Sequence, residues 1–547
     1  MHVGKMYLNL SLLLLMLLII ASCGNSTNNP DPNPEDKTPP VIISLTPTDK
    51  SSSVDLSKPV TVVFSEAMKS STMTNESVIL KSKDGSPLEK TLNLSEDKKT
   101  LTITYKNLAQ NSNPGAVTIT LTSTITDEAD NALAETTWSY ITPTWLSLSE
   151  ALDVDKNNFT FEPSIVTDKD GNIVIAWYEQ DASSQNRVYV KRWNGSAWEQ
   201  LGDALNTTAD SSADYPSLAI DYQNRPVLAW HETDATFDST INVKIWTGTT
   251  WEQVGGGHGG TTVEVDDGEF PSLALMPDDT PVVAYAKSGD IFVRLWDGSS
   301  WVTWDAAGAL DDIATQIANK PSLLLVESRD MPGFIIPYVA FEEEENSSKP
   351  SSNVYVKYYD AATFAWRDSD EVNDELDINV AENARNPSLS FGTDAPVVAW
   401  EEFNGTDRDI HVKQLGVTAR AWQDVGNDDF AGQDSSEPSL LQANKFGNAP
   451  SNVPVVVWRG QDGAGQNVYL KSYDVVSGLW KTPTTPIEPV NTPAIGSEHP
   501  VVAVGKESKI FVAFVEFDSS TMSQNLHVKQ FRAHFTKVVL REHSRSD

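Results

Sequence analysis

From residue 143 onward the hydrophobic positions fall into short alternating runs that come back on one plan. A Pro-Ser pair opens a short apolar strand, a turn follows, and a second strand ends in an aromatic residue. A third strand of the form "VYVK" then leads through a tight hairpin into a fourth that opens on Trp. The pairs lie at Pro163, Pro216, Pro271, Pro321, Pro387 and Pro438, with a Pro-Val at Pro500, so the period is 50 to 66 residues. Four strands per unit at this period predict a seven-bladed β-propeller. The seventh unit runs out after "LHVKQF" with no fourth strand. The missing piece lies at the other end: Trp145 stands 18 residues before Pro163, as Trp198 stands 18 before Pro216. The strand at Trp145 is therefore expected to complete the last blade and leave no open sheet edge.

Upstream, "PVTVVFS", "KTLTITY", "AVTITLTST" and "TTWSYIT" alternate apolar and polar residues between turn signals, without helical periodicity. Some seven strands in about a hundred residues predict a β-sandwich. The chain as a whole is expected to be all-β. It divides into a signal segment 1–22, a tether 23–37, the sandwich 38–142, the propeller 143–535 and a tail 536–547.

"PPVIISLTPTDKSSSV", "VTVVFSEAM", "ITDEADNALAE" and "TWSYIT" resemble the bacterial Ig-like domains of S-layer and surface proteins, which implies a spacer or adhesive module. The segment departs from that pattern in "DEADNAL", where the family usually has Gly; Asp130 or Asn131 takes the left-handed conformation there. At the N-terminus, Lys5 precedes an apolar run from Leu8 to Ile20 that is shorter than the roughly 20 residues of a membrane span. "IASC" resembles the bacterial lipobox, which implies acylation at Cys23 and a lipid-anchored protein at the outer membrane or cell surface. Cys23 is the single cysteine, so the folded parts are expected to hold together without disulfides. "GNSTNNPDPNPEDKTPP" has little to bury and reads as an extended tether.

A net charge of −36 argues against nucleic acid as a partner, since phosphate binding needs clustered Lys and Arg. The sixteen Trp invite a sugar-binding reading. Their recurrence at both ends of the hairpins in "WNGSAW", "WTGTTW" and "WDGSSW" assigns them to cross-strand and inter-blade packing instead. The Lys of "VYVK" reads as a stem along the sheet with its charge at the edge.

In general form the repeats resemble the propellers of sialidase-like proteins and of some lectins. "WDGSSW" keeps Gly298 and Trp301 at the spacing of the sialidase Asp-box but lacks its Ser, and no early Arg motif is present. No Gly-x-Ser-x-Gly occurs, and the histidines have no metal-ligand spacing; His411 and His527 occupy a repeat position held elsewhere by Tyr, Asn and Phe. No cofactor is expected. Calcium bridging neighbouring carboxylates is the one cation considered, and no EF-hand-type loop supports it.

The long segments fall between repeats and between second and third strands, which share one face of such a blade. They are acidic, and that face is expected to be the working surface. The candidate ligand residues stand where the second strands enter it: Tyr178, Glu179, His231, Glu232, Glu343, Glu402 and Glu516. The resulting expectation is a monomeric, non-enzymatic binding or adhesion module that contacts a glycan or an envelope or secreted protein. The alternative is an exo-acting, sialidase-like glycosidase using carboxylates at the channel mouth.

Overall fold

The computed structural model describes residues 36–531 apart from 52–53, 55–57, 83–84, 107–115, 142–144, 149–150, 256–264, 305–307, 311–316, 330, 345–351, 370–375, 379–382, 393–394, 417–420, 427–429, 431–433, 442–453, 463–464, 475–476, 482–489, 491–495 and 506–508. Cys23 with its apolar run, the tether up to residue 35, the loop with His258 and the tail lie outside the described residues. What is described is all-β, with one 3-10 turn at Ser70–Thr72.

The N-terminal unit is a pair of antiparallel sheets. One is ordered Ile42–Thr46, Val60–Phe64, Thr100–Tyr105, Lys90–Leu94; the other is Val78–Lys81, Ala116–Leu121, Thr136–Ile141. Alternation puts Val62, Phe64, Leu101, Ile103, Ile119, Trp138 and Tyr140 into one shared core. Asp130, where the resembling family carries Gly, has φ 66, and Asp127 stabilises that turn by accepting the N–H groups of Ala129 and Asn131, each at 2.8 Å.

Downstream, five repeats form separate four-stranded antiparallel sheets with strands in sequence order. The first and last repeats share an eight-stranded sheet, linked by the single parallel bridge Gln524↔Phe159. The expected strand exchange is present. Trp145–Ser147 pairs antiparallel with Ser523–Phe531, with Trp145 opposite Phe531 and the two rings 5.1 Å apart.

The second strands are buried on both faces, as in "VLAWH" (Val227–His231), because each sheet packs against a neighbour on either side. In the first repeat Val174 and Ala176 pack with Leu228 and Trp230 of the second. Ile173, Ile175 and Trp177 face the other way and pack with Phe511, Ala513 and Val528 of the last. The first strands (Phe159–Thr167, Ser212–Ile220, Glu269–Leu275, Ile317–Glu327, Ala384–Phe391, Ser435–Leu440, Ser497–Val504) contact one another in succession, and Ser497–Val504 contacts Phe159–Thr167. The result is a propeller-like array.

The Pro-Ser pairs explain how neighbouring first strands are joined without a β-ladder. Ser164, Ser217, Ser272, Ser322 and Ser388 each accept, through Oγ, the backbone N–H of the Leu that follows the next Pro-Ser, at 2.9 to 3.0 Å. The last repeat has Val501 at the Ser position, and the junction with the first is made otherwise. Thr167 Oγ1 donates to Val504 O at 2.6 Å, Ser523 Oγ donates to Lys156 O at 2.7 Å, and both Asp153 oxygens lie 3.1 Å from Leu526 N.

Burial pushes the Asp153 carboxyl up to about 6, against the pull of its Thr160 and Leu526 hydrogen bonds. An unfolded Asp titrates near ~4, so between about pH 4 and pH 6 the folded chain binds more protons than the unfolded one. The contribution of Asp153 to stability is therefore full below that window and falls as pH rises through it. Unfolding midpoints measured from pH 4 to pH 7 should show Asp153→Asn gaining on the parent chain as pH rises, with the two closest at the acid end.

Candidate functional site

Each first strand carries a bulge at the same place. The ladder to the second strand slips between residues such as Asp214 and Ser217, Asn319 and Ser322, and Glu498 and Val501. The residue just before each proline sits in this bulge with left-handed backbone: Glu162, Tyr215, Phe270, Lys320, Asn386, Glu437 and His499, with φ between 43 and 54. Bulky side chains rarely take that region, and where they do the surroundings must hold them. All seven are half-buried while the prolines behind them are buried. The frame repeats and the side chain changes: this is where the repeats differ chemically.

The residue after the second-strand aromatic serves the next repeat's bulge. His231 Nδ1 accepts Phe270 N–H at 3.4 Å, Glu342 accepts Asn386 N–H at 2.8 Å, and Glu401 accepts Glu437 N–H at 2.7 Å. Tyr178, at that position in the first repeat, lies against the Tyr215 ring at 6.3 Å.

Two chemically distinct sectors follow. In one, aromatic rings run from Phe161 to Tyr178 (5.3 Å), Tyr215 and Phe270 (4.7 Å from Tyr215), with His231 stacked on Tyr215 at 5.5 Å. In the other, ionic groups interlock. His499 Nδ1 lies 3.3 Å from Glu162 and 3.8 Å from Glu437; Glu437 also accepts the His499 N–H at 2.7 Å. Arg459 Nη1 reaches Glu437 at 3.3 Å and Glu498 at 3.4 Å. Between the sectors Lys320 donates to Asn386 at 2.6 Å and lies 3.9 Å from Glu342. Burial raises the Glu342 carboxyl, with the Lys320 charge opposing. The closest contacts thus place two carboxylates on one imidazole nitrogen, beside an arginine.

The sequence-derived candidates divide by strand parity. Tyr178 and His231 belong to the aromatic sector. Glu179, Glu232, Glu343, Glu402 and Glu516 stand one residue further on, on the face of the preceding aromatic, and all are buried. Glu179 accepts the Trp177 indole N–H at 2.8 Å and the Val154 and Asp155 backbone N–H groups at 2.6 and 3.1 Å. Glu232 treats Trp230 and Thr207 in the same way, and Glu402 does so for Trp400 and Ile378. Burial raises the Glu516 carboxyl, which lies 3.9 Å from His527 Nε2. Glu179, Glu232 and Glu402 thereby fasten the segments between repeats.

The "VYVK" lysines differ from expectation as well. Their charges lie inside, not at the edge: Lys244 and Lys413 Nζ stand 5.2 and 5.4 Å over Trp230 and Trp400 and donate to the Leu205 and Leu376 carbonyls at 2.9 and 2.7 Å. Burial pushes the Lys244 ammonium below its ordinary range. His411 lies tilted against Trp400 at 5.5 Å and His527 stacks on Phe514 at 5.9 Å, which makes them packing residues. The hairpin tryptophans join repeats, as expected: Trp251 and Trp480 Nε1 donate to Leu201 O and Val425 O at 2.7 and 2.6 Å. Among the described residues, the trio Asp36, Glu66 and Asp127 brings carboxylate oxygens within 4.8 Å of one another. It lies in the N-terminal sandwich, and Asp127 is already engaged in its own turn.

Residues 36–142 match the bacterial Ig-like domain family. No curated protein matches the chain. Among solved structures, it is similar to the α-L-arabinanase of Penicillium chrysogenum at 13% identity, covering 62% of this chain and 100% of that one, with a TM-score of 0.40. An ulvan lyase, a polysaccharide lyase, is similar at 9% identity, with 68% and 93% covered and a TM-score of 0.44. The intramolecular trans-sialidase of Ruminococcus gnavus is similar at 13% identity, with 70% and 96% covered and a TM-score of 0.38. All three are named as carbohydrate-active enzymes. These names stand against the expectation of a non-enzymatic chain; at such identities and TM-scores the likeness itself is one of fold.

The geometry separates fastening glutamates from site residues. Glu232→Ala should lower stability by roughly 3 kcal/mol, because a buried indole and backbone N–H groups lose their acceptor. Denaturant unfolding reads that loss.

Proposed function

We propose that residues 143–535 form a seven-bladed β-propeller closed by the strand Trp145–Ser147, and that the chain is a carbohydrate-active enzyme working at the ring of pre-proline residues. One observation carries this reading: seven equivalent left-handed positions hold seven half-buried side chains that are not interchangeable. They supply an aromatic surface on one side and paired carboxylates on the other. Sugars present an apolar ring face and a hydroxylated rim, and sites for them combine apolar walls with a few placed polar groups.

Glycosidic bond cleavage needs one group to protonate the departing oxygen and another to activate water or attack the anomeric carbon. Glu437, oriented by Arg459 and by the His499 N–H, is the positioned carboxylate of this pair. Glu162 is its counterpart, and His499 stands between them as the group that holds or passes a proton. The aromatic sector holds the sugar ring against which the pair acts. Export and acylation at Cys23 would carry this propeller to the outer membrane or cell surface, with the Ig-like unit as spacer.

Incubating the full chain with a panel of neutral, acidic and amino polysaccharides tests the reading through release of reducing or unsaturated ends. Glu162→Gln and Glu437→Gln should each lower turnover by about a hundredfold or more with unfolding midpoints near the parent's. No release from any polysaccharide, or full activity in both variants, refutes it. Metabolic palmitate labelling should mark the parent chain and be lost in Cys23→Ala; labelling that persists refutes the anchor.

A further inference from the structure

The aromatic sector is longer than a single sugar requires. Phe159, itself 39% exposed, stacks on Phe161 at 6.4 Å. Phe161 stacks on Tyr178 at 5.3 Å and meets the His499 ring at 6.4 Å. The line goes on through Tyr215 to Phe270. It crosses the last, first, second and third repeats.

This arc is flanked by carboxylates. Glu162 stands in its first repeat with its side chain 35% exposed. Asp214 precedes Tyr215 and lies 3.6 Å from His231 Nε2. Glu269, exposed, precedes Phe270. Among the described residues, the ion pairs of Asp214 and Glu162 are with histidines, whereas Lys320, between the sectors, pairs with Glu342 and Arg459 with Glu437 and Glu498. The negative field registers on the phenols. Burial first, and then Glu162, Asp214 and Glu269, push the Tyr215 hydroxyl up to about 12; burial followed by Asp214 and Glu162 raises Tyr178. Aromatic faces bordered by carboxylates favour a cation that is also a sugar, since ring stacking, cation–π attraction and ion pairing act together.

We propose that the arc binds an oligosaccharide of unacetylated amino sugars, with its ammonium groups beside Glu162, Asp214 and Glu269 and its rings along Phe161, Tyr215 and Phe270. The proposal rests on the carbohydrate reading above and names its substrate class.

Calorimetric titration of the full chain carrying Glu437→Gln, which blocks turnover and leaves the arc intact, tests it. The probes are the β-1,4-linked hexamer and dimer of glucosamine, the hexamer of N-acetylglucosamine, cellohexaose and hexalysine, under mildly acidic conditions that keep the amines protonated. The glucosamine hexamer should bind about tenfold or more tightly than cellohexaose, the N-acetylated hexamer or its own dimer, and its affinity should fall with added salt. Tyr215→Ala should weaken it about tenfold while Tyr215→Phe retains it, and Asp214→Asn should reduce the salt dependence at an unchanged unfolding midpoint. Equal binding of cellohexaose overturns the amino-sugar assignment and leaves the carbohydrate site standing. Binding of hexalysine alone makes the arc a peptide surface and overturns the proposal. Binding of none of the sugars overturns it too, and the polysaccharide panel then decides separately whether the enzyme reading survives.

Discussion

The hydrogen bond from a Leu N–H to the serine of the preceding repeat is the contact on which the array depends. A first strand is the inner edge of its sheet, so half of its N–H groups point away from its own ladder. An unpaired buried N–H costs about 1–3 kcal/mol. Ser217 and its equivalents remove that cost and at the same time set the distance between neighbouring strands. Proline beside the serine donates no N–H of its own, which suits a bulged position where a ladder bond is already lost. The bulge leaves the preceding residue with left-handed backbone. One dipeptide thereby provides the joint between sheets and the frame for the variable residue in front of it.

Electrostatics follow the same division. Two successive positions after each second-strand aromatic point to opposite sides of the sheet. In the repeats with Trp177, Trp230 and Trp400 the further one is a glutamate buried beside the indole, its carboxylate accepting from Trp and backbone, as Glu232 does beside Trp230 and Lys244. The nearer one faces the next repeat and takes part in its bulge, as Glu342 does for Asn386. Part of the acidity of the chain near this face is thus internal carpentry. The arginines follow the carboxylates: Arg459 sits between Glu437 and Glu498 and is partly neutralised by them.

The repeat, its period and the exchange of Trp145 were legible because they rest on apolar alternation and on offsets that do not depend on chemistry. The site was less legible. Its seven residues share a position and no property, so nothing in Glu162, Tyr215 or Lys320 draws the eye, and left-handed backbone at a bulky residue is contrary to local preference. The one signal was the reverse of a motif, a changing residue in front of a fixed Pro-Ser. Strand parity would also have separated Glu179 from Tyr178, since Trp177 and Glu179 lie two apart and share a face. Hairpin and packing roles for the tryptophans, His411 and His527 were readable from recurrence alone. The heads of the lysines were not, because a long stem permits either an outward or an inward end, and the inward one is chosen by a Trp face and a carbonyl that come from different segments.

Each pre-proline residue is kept in its left-handed backbone by a proline behind it and, at several positions, by an acceptor from the repeat before. None of these supports depends on what the side chain is. The seven bulges therefore act as sockets of one gauge, into which glutamate, tyrosine, lysine or histidine plugs without refitting its neighbours' backbones. A lineage, or a designer, could rewrite the chemistry of this surface one socket at a time, and seven sockets with a modest alphabet make a large vocabulary of recognition on an unchanged chassis.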